Sequence, residues 1–422
     1  MESKIKLDRT LVAVNVDGAV HLMLELTAPP AVAAERAPID VVVVLDRSGS
    51  MNGAPLHSVR EATCNLLRLL GPNDRLGVVA FDDGIDLVLP LATHNVDAAC
   101  ARVRQIETGG STNLSGGWLK GFEMLSTGGR PEALRRVIVL TDGHANAGIT
   151  EKDALCAIVS GAKAQGVTTS MVGFDDGYDE VLLSAMADAG AGNDYWCAGP
   201  DQAPQVFAAE FNGLSSVVAQ NISVEIRPRA GVEVSVLNEH PITEVVGGLQ
   251  VALGDAYGGE RRRIVAMLRV PAPSTLGKVE LAELIIRWAS TVGTVSLHSV
   301  TIPVVVDARS GRDADQTPDA EVLEHVTVLR AARSRREAHE SIQRGDTAAA
   351  AAALGAAISL LAPMPAQAAE TAQARFDLEE LQGGRWSPAS SKRLYSAMRS
   401  TQKGRRARYD DSQPDTEPDT PA

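Results

Sequence analysis

Apolar residues run through this chain in two rhythms, and the change between them marks its organisation. Residues 39–45, Ile-Asp-Val-Val-Val-Val-Leu, are apolar almost without a break, as expected of a strand covered on both faces. Val59, Ala62, Leu66, Leu67 and Leu70 then recur at helical spacing, and Gly71-Pro72-Asn73-Asp74 ends that helix. The pattern predicts buried strands at 75–81 and 136–140, with helices at 96–106 and 114–125 between them. A helix at 152–164, a strand at 167–174, a helix at 180–189, a strand at 195–198 and a closing helix at 203–214 follow. Strands alternating with helices predict an α/β fold with a doubly wound, mainly parallel sheet and right-handed crossovers. Ligands of such sheets sit at the carboxyl ends of the strands.

The chain on either side has a different texture. Leu22, Leu24 and Leu26 alternate onto one face, so residues 1–36 read as two strands ending in an Ala/Pro/Glu-rich linker. Beyond Ser216, β-like segments at 222–227, 232–237, 249–253, 263–270, 279–288 and 292–306 are punctuated by Gly, Pro and Asn. They predict a β-sandwich over 216–308. The N-terminal strands have no sheet of their own and are expected to join it, which makes the α/β unit of 38–214 an insertion. Residues 319–404 read as helical. Gly345-Asp346 and the Ala-rich run to Leu361 look like one hairpin similar to a tetratricopeptide unit, without a visible repeat. Residues 405–422 read as a disordered acidic tail. Lys392, Arg393, Arg399, Lys403, Arg405, Arg406 and Arg408 read as a solvated helix face leading into that tail.

Composition narrows the function classes. A chain of 422 residues is expected to hold two or three domains, and its net charge of -13 argues against nucleic-acid and anionic-membrane partners. No run approaches the ~20 apolar residues that span a bilayer. The first six residues turn polar and β-like at once, unlike a secretory leader. Cys64, Cys100, Cys156 and Cys197 form no CxxC pair and read as small core residues, which fits a cytoplasmic setting.

The informative chemistry lies at strand ends. Asp46-Arg47-Ser48-Gly49-Ser50 follows the first buried strand, and Gly49 lets the loop turn so that both hydroxyls aim at one spot. Gly109-Gly110-Ser111-Thr112 forms a flexible loop ahead of a helix, and Asp142 ends the strand of 136–140 within Thr141-Asp142-Gly143. Two carboxylates and three hydroxyls make an all-oxygen set suited to Mg²⁺ or Mn²⁺, while the lack of Cys and His disfavours zinc. Neutral hydroxyls leave such a cation electrophilic, so an acidic side chain of a partner can complete its shell.

In these residues the sequence resembles the von Willebrand factor A family. Asp46, Ser48 and Ser50, then Thr112 in a Gly-Gly-x-Thr loop, then Asp142 in Thr-Asp-Gly reproduce the full pattern of its metal-ion-dependent adhesion site. The resemblance covers residues 38–212. It implies a Rossmann-like sheet, metal contacts by Ser48, Ser50 and Thr112, and aspartates that act directly or through water. The flanking segments are similar to those of bacterial cytoplasmic-type relatives. The implied function is metal-dependent capture of a Glu or Asp from another protein, with no catalysis. A metal-assisted hydrolase using the same residues, and a scaffold for an AAA+ ATPase or stress-response complex, stay open beside it. The oligomeric state is not legible.

Neighbouring residues read more simply. Asp82 and Asp83 are expected to cap or support a loop, and Asp175 and Asp176 to form a turn. His144 reads as a solvated loop residue, Trp118 as packing a helix on the sheet, and Asn113 as a helix cap. Phe207 and Phe211, four apart, are expected to hold the closing helix down.

Overall fold

The computed structural model describes residues 1–31, 36–174, 177–197, 199, 202–292, 296–311 and 316–403. The chain opens with strands β1 (Glu2–Leu7), β2 (Leu11–Ala13) and β3 (Gly18–Thr27), where the sequence pattern predicts two. β2 is too short to show an alternation.

The central unit follows: β4 (Ile39–Asp46), α1 (Ala54–Leu69), β5 (Arg75–Phe81), β6 (Ile85–Ala92), α2 (Val96–Val103), α3 (Leu114–Gly128), β7 (Leu134–Thr141), α4 (Lys152–Ala164), β8 (Val167–Phe174), α5 (Glu180–Ala189), β9 (Ala191–Cys197) and α6 (Ala203–Ser215). Its sheet has the order β6-β5-β4-β7-β8-β9. All pairs are parallel except β5 with β6. β6 escapes the sequence pattern because it is a half-exposed edge strand in which only Leu89 is buried, and Pro90 is tolerated at such an edge. α1, α2 and α6 cover one face of the sheet through Val41, Val43 and Leu45. α3, α4 and α5 cover the other through Val42 and Val44. Coverage on both faces is the physical reason for the unbroken apolar run of β4. Because β4 lies between β5 and β7, the strand order reverses there, and the crevice of a doubly wound sheet opens at that reversal.

The chain then returns to β structure with β10 (Val217–Pro228), β11 (Glu233–Val236), β12 (Ile242–Val245), β13 (Gly248–Tyr257), β14 (Arg261–Val270), β15 (Gly277–Ser290) and β16 (Ser296–Arg309). Two sheets result, ordered β1-β3-β14-β11 and β12-β13-β10-β15-β16-β2. Val20, Leu22, Leu24 and Leu26 of β3 share one apolar core with Val224, Ile226, Leu284 and Ile286 of the second sheet. The chain leaves this pair of sheets at Ala28 and re-enters it at Ser216, and one turn ties both points. Ala28 N donates to Glu260 O, Gly259 N to Pro29 O and Gly258 N to Ser216 O.

Four helices complete the described chain: α7 (Ala320–Gln343), α8 (Thr347–Leu361), α9 (Ala368–Gln382) and α10 (Pro388–Gln402). Gly345, with φ +77°, and Asp346, whose side chain accepts from Ala349 N at 2.9 Å, make the α7–α8 turn. Val322, Val326 and Leu329 of α7 pack on Met23 and Val265. α10 departs from the sequence expectation. Lys392 and Arg399 are buried, not solvated, because α10 lies against the acidic residues of α5 and β9. The expected acidic tail at 405–422 lies outside the described residues. Among the described residues no helix is long and apolar enough to cross a membrane.

Candidate metal centre

β4 and β7 are parallel neighbours with Leu45 opposite Leu140, so their next residues deliver polar groups to the same sheet edge. Asp46 closes β4 and is fully buried. Its Oδ1 accepts the Ser48 backbone N–H at 2.8 Å and its Oδ2 accepts the Thr141 hydroxyl at 2.5 Å. Burial pushes the Asp46 carboxyl above its ordinary range, with Asp82 adding to the shift, while the bonds from Thr141 and Ser48 oppose it. A carboxylate made unfavourable by burial is one that a nearby cation would stabilise.

The loop after β4 turns through a 3-10 segment at Gly49–Met51, with Met51 fully buried as its anchor. This turn brings Ser48 Oγ and Ser50 Oγ to 3.2 Å, and Ser50 Oγ donates to Asp142 Oδ1 at 2.7 Å. Thr112 arrives from the loop before α3. It is held by Asn146, whose Oδ1 accepts the Thr112 N–H at 2.7 Å. A Cβ on Gly143 would lie 3.2 Å from Thr112 Oγ1 and 3.9 Å from Ser50 Oγ, so both hydroxyls face this glycine. The structure therefore gathers Asp46, Ser48, Ser50, Thr112 and Asp142 at one place. Gly49, Ser50, Gly109 and Gly110 leave it exposed on one side.

Asp82 shapes the glycine loop. It is buried, and its carboxylate accepts from Gly84 N, Gly110 N and Arg47 Nη2 at 2.7, 3.2 and 3.2 Å. Burial raises its pKa, but these donors outweigh burial and hold it below the usual carboxylate range. A Cβ on Gly109 would meet Asp82 Oδ2 at 1.7 Å and one on Gly110 would meet Asp83 Oδ1 at 1.9 Å, so both glycines permit close approaches that a Cβ would obstruct. Sequence reading missed three supports: Thr141 under Asp46, Arg47 between Asp82 and Asp86, and Asn146 under Thr112. Thr141 and Arg47 were visible as motif neighbours. Asn146 carries no local signal, because its partner lies 34 positions away.

Other candidates fall where simple packing puts them. Trp118 is buried under α3, stacks on Phe122 and donates to Thr169 Oγ1 at 3.1 Å. Asn113 caps α3 by accepting Gly116 N at 3.0 Å. His144 and Asp83 are exposed. Asp175 and Asp176 lie outside the described residues. All four cysteines are free thiols. Among the described residues no group of three or more His, Cys, Asp and Glu side chains is placed to hold a metal. Any cation here would depend on the hydroxyls as much as on the two carboxylates.

Residues 40–207 match the family model of the von Willebrand factor type A domain. The chain carries a von Willebrand factor type A domain. The fold agrees with the solved structure of a von Willebrand factor type A protein from Catenulispora acidiphila, at 17% identity and a TM-score of 0.76 over 96% of this chain and 97% of that one. It also matches the ArnB paralog VWA2 from Sulfolobus acidocaldarius, at 15% identity and a TM-score of 0.63 over 95% and 98%. These likenesses cover the sandwich and the helices as well as the von Willebrand factor type A domain.

Among relatives in sequence, an uncharacterized protein of Synechocystis sp. is 26% identical over 76% of this chain and 77% of its own length. The E3 ubiquitin-protein ligase WAV3 of Arabidopsis thaliana is 30% identical over 57% of this chain, but the match spans 32% of the ligase. Inter-alpha-trypsin inhibitor heavy chain H1 of Sus scrofa is 37% identical over 28% of this chain and 14% of its own length.

Proposed function

We propose that this protein is an interaction module that holds a divalent cation, Mg²⁺ or Mn²⁺, through Asp46, Ser48, Ser50, Thr112 and Asp142 and uses it to capture a Glu or Asp side chain of a partner protein. The observation that carries the reading is the convergence of these five oxygen-bearing side chains from three loops on one exposed edge of the sheet. The set is all oxygen, which suits a hard cation. The bound cation would supply an electrophilic centre for a carboxylate. Within the chain, Thr141 and the Ser48 backbone fix Asp46, Ser50 fixes Asp142, and Asn146 fixes Thr112. The two carboxylates only balance a dication, and the three neutral hydroxyls add no further negative charge, so the cation stays an electrophilic centre whose shell an acidic partner group can complete.

Similarity that spans under a third of both a ubiquitin ligase and an inhibitor heavy chain supports a shared module over a shared catalytic unit. A cytoplasmic setting belongs to the same reading, supported by four free thiols, three of them buried.

Calorimetry of the full chain with Mn²⁺ and Mg²⁺, followed by addition of a Glu-containing peptide, tests the reading. Wild-type protein is expected to bind the cation modestly, with no preference for Zn²⁺, and to bind the peptide only when the cation is present. Asp46→Ala is expected to lose both. Intact peptide capture by Asp46→Ala, or cation-dependent turnover of a phosphate or ester substrate that Asp142→Ala abolishes, would replace this reading.

A further inference from the structure

α10 and its C-terminal cap residue Lys403 carry a run of cations, and three of them leave their own helical bundle for the von Willebrand factor type A domain. Lys392 is 4% exposed. Its Nζ donates to the carbonyl oxygen of Tyr178 at 2.7 Å and to Glu180 Oε2 at 2.9 Å, and it lies 3.7 Å from the centre of the Tyr178 ring. Arg399 reaches Asp188 at 2.7 Å, and Lys403 reaches Asp194 at 2.6 Å. Glu180 also faces α7, where His339 Nε2 is 3.4 Å away. The bundle has polar ties of its own that do not involve Lys392. Arg393 already ties α10 to Asp377 and Glu380 of α9, and Ser390 donates to Glu380 at 2.8 Å. Every polar partner of Lys392 named above lies more than 200 positions away in the central unit.

The segment that Lys392 holds borders the metal site. It follows β8, the neighbour of β7, at the same carboxyl edge of the sheet. The backbone of Gly177 approaches Asp142 so closely that a Cβ there would lie 2.7 Å from the Asp142 carbonyl oxygen. The Tyr178 ring covers Gly173, where a Cβ would be 2.2 Å from ring carbons, and Tyr178 is itself buried. The line of contact runs from Lys392 to Tyr178, from Tyr178 to Gly177, and from Gly177 to the backbone of Asp142.

We propose that Lys392 is a positioning residue for the metal site: α10 presses residues 177–180 against the backbone of Asp142, and release of α10 loosens Asp142 and weakens the cation. The consequence for the cation rests on the metal-dependent reading above; the mechanical coupling does not. A helix outside the von Willebrand factor type A domain would then set the affinity of its site. Groups that orient ligand-bearing residues typically change metal affinity by roughly 10- to 100-fold when removed.

The test uses the full chain and four variants: Lys392→Met, Lys392→Arg, Arg393→Ala and Glu180→Gln. Hydrogen exchange is read at residues 142–147 and 177–183 without metal, and Mn²⁺ affinity by calorimetry. Lys392→Met keeps the aliphatic contact on Tyr178 but loses the donors. It is expected to speed exchange in both segments and to weaken Mn²⁺ about tenfold. Lys392→Arg restores affinity. Arg393→Ala, which loosens only the bundle, leaves affinity unchanged. Glu180→Gln removes charge from one of the two acceptors and moves both readouts in the same direction by less. It serves in place of Lys392→Met if that variant folds poorly. Faster exchange confined to 177–183, or wild-type Mn²⁺ affinity in a folded Lys392→Met, overturns the proposal. If wild-type protein binds no Mn²⁺, the metal reading itself falls, and exchange at 142–147 still decides whether α10 reaches Asp142.

Discussion

The Ser50 hydroxyl donates to Asp142 Oδ1 at 2.7 Å across 92 positions of sequence, and this bond joins the loop after β4 to the loop after β7. It exists because β4 and β7 run parallel side by side where the strand order of the sheet reverses. Neighbouring strands on the two sides of that point send their following loops apart, which opens the crevice that Ser50 and Asp142 border.

Ser50→Ala tests how far this bond organises the site. Ser50 is exposed, so the fold should lose little, about 0.5–1.5 kcal/mol for the missing hydrogen bond. Mn²⁺ affinity should fall by at least about tenfold, since both a donor oxygen and the orientation of Asp142 are lost. Chemical denaturation and calorimetry on the same preparation separate the two effects. A large loss of stability with unchanged affinity would mean that Ser50 holds the loop and not the cation.

Two glycines should resist alanine for different reasons. At Gly109 a Cβ would strike Asp82, whose carboxylate is fixed by Arg47 and by two backbone donors, so the loop that carries Thr112 must shift. At Gly121 it would lie 2.7 Å from Val44 Cγ2, in the packed layer between α3 and β4. Helix propensity alone favours alanine over glycine by about 1 kcal/mol. Overpacking costs about 1–3 kcal/mol and should win at Gly121. Denaturant midpoints should therefore fall for Gly121→Ala, whereas Gly109→Ala should mainly lower Mn²⁺ affinity.

The contrast between β4 and β6 shows what the sequence could convey. β4 is covered on both faces and is written as an unbroken apolar run, so its place and its closing Asp46 were legible. β6 is an edge strand with one buried residue; its sequence IDLVLPLA is apolar, but Asp86 and Pro90 break it and it shows neither a clean alternation nor an unbroken apolar run. The residues gathered at the site were readable because each sits just past a strand or in a glycine loop, where chemistry and local pattern coincide. Lys392 was misjudged for the opposite reason. A cation on a helix reads as solvated unless its partner is known, and Glu180 is 212 positions away. Long-range charge pairing leaves no local trace.

Arg136 gives the sharpest stability test. It is almost fully buried near the start of β7 and joins Glu210 of α6 at 2.7 Å to Asp255 of β13 at 2.9 Å, so one guanidinium links the sheet, the closing helix and the sandwich. Arg136→Met leaves two carboxylates buried without their cation. The expected loss is about 3–5 kcal/mol, the usual range for breaking a buried pair from one side. Phe207 and Phe211 flank Glu210 on the same buried side of α6, so closing-helix mobility and this ion cluster should respond together. Urea denaturation measures the loss. A change below 1 kcal/mol would show that water or rearranged partners replace the guanidinium.

Acid should act on the same joints. Burial raises the Glu210 carboxyl, but Arg136, Ser170, Tyr195 and Asn193 more than offset it and bring it down to about 2 from an ordinary 4.5. Glu180 is likewise raised by burial and brought down to about 2 by His339 and Lys392, again from 4.5. In both cases the folded carboxyl is the stronger acid, so the unfolded chain binds more protons as pH falls. Their contribution is therefore fully present above about pH 4.5 and is lost as pH drops from there through about 2. Asp194, held far below its ordinary range by Lys403 and Arg399 against burial, adds loss in the same direction. Urea midpoints followed across this window should fall steadily. Glu180→Gln cannot titrate, so it should begin less stable at neutral pH and show a shallower fall. Equal slopes for wild type and variant would mean that the α10–α5 contact contributes nothing to folded stability, and that acid unfolds the protein through its other depressed carboxyls, such as Glu210, Asp194, Asp40 and Asp74.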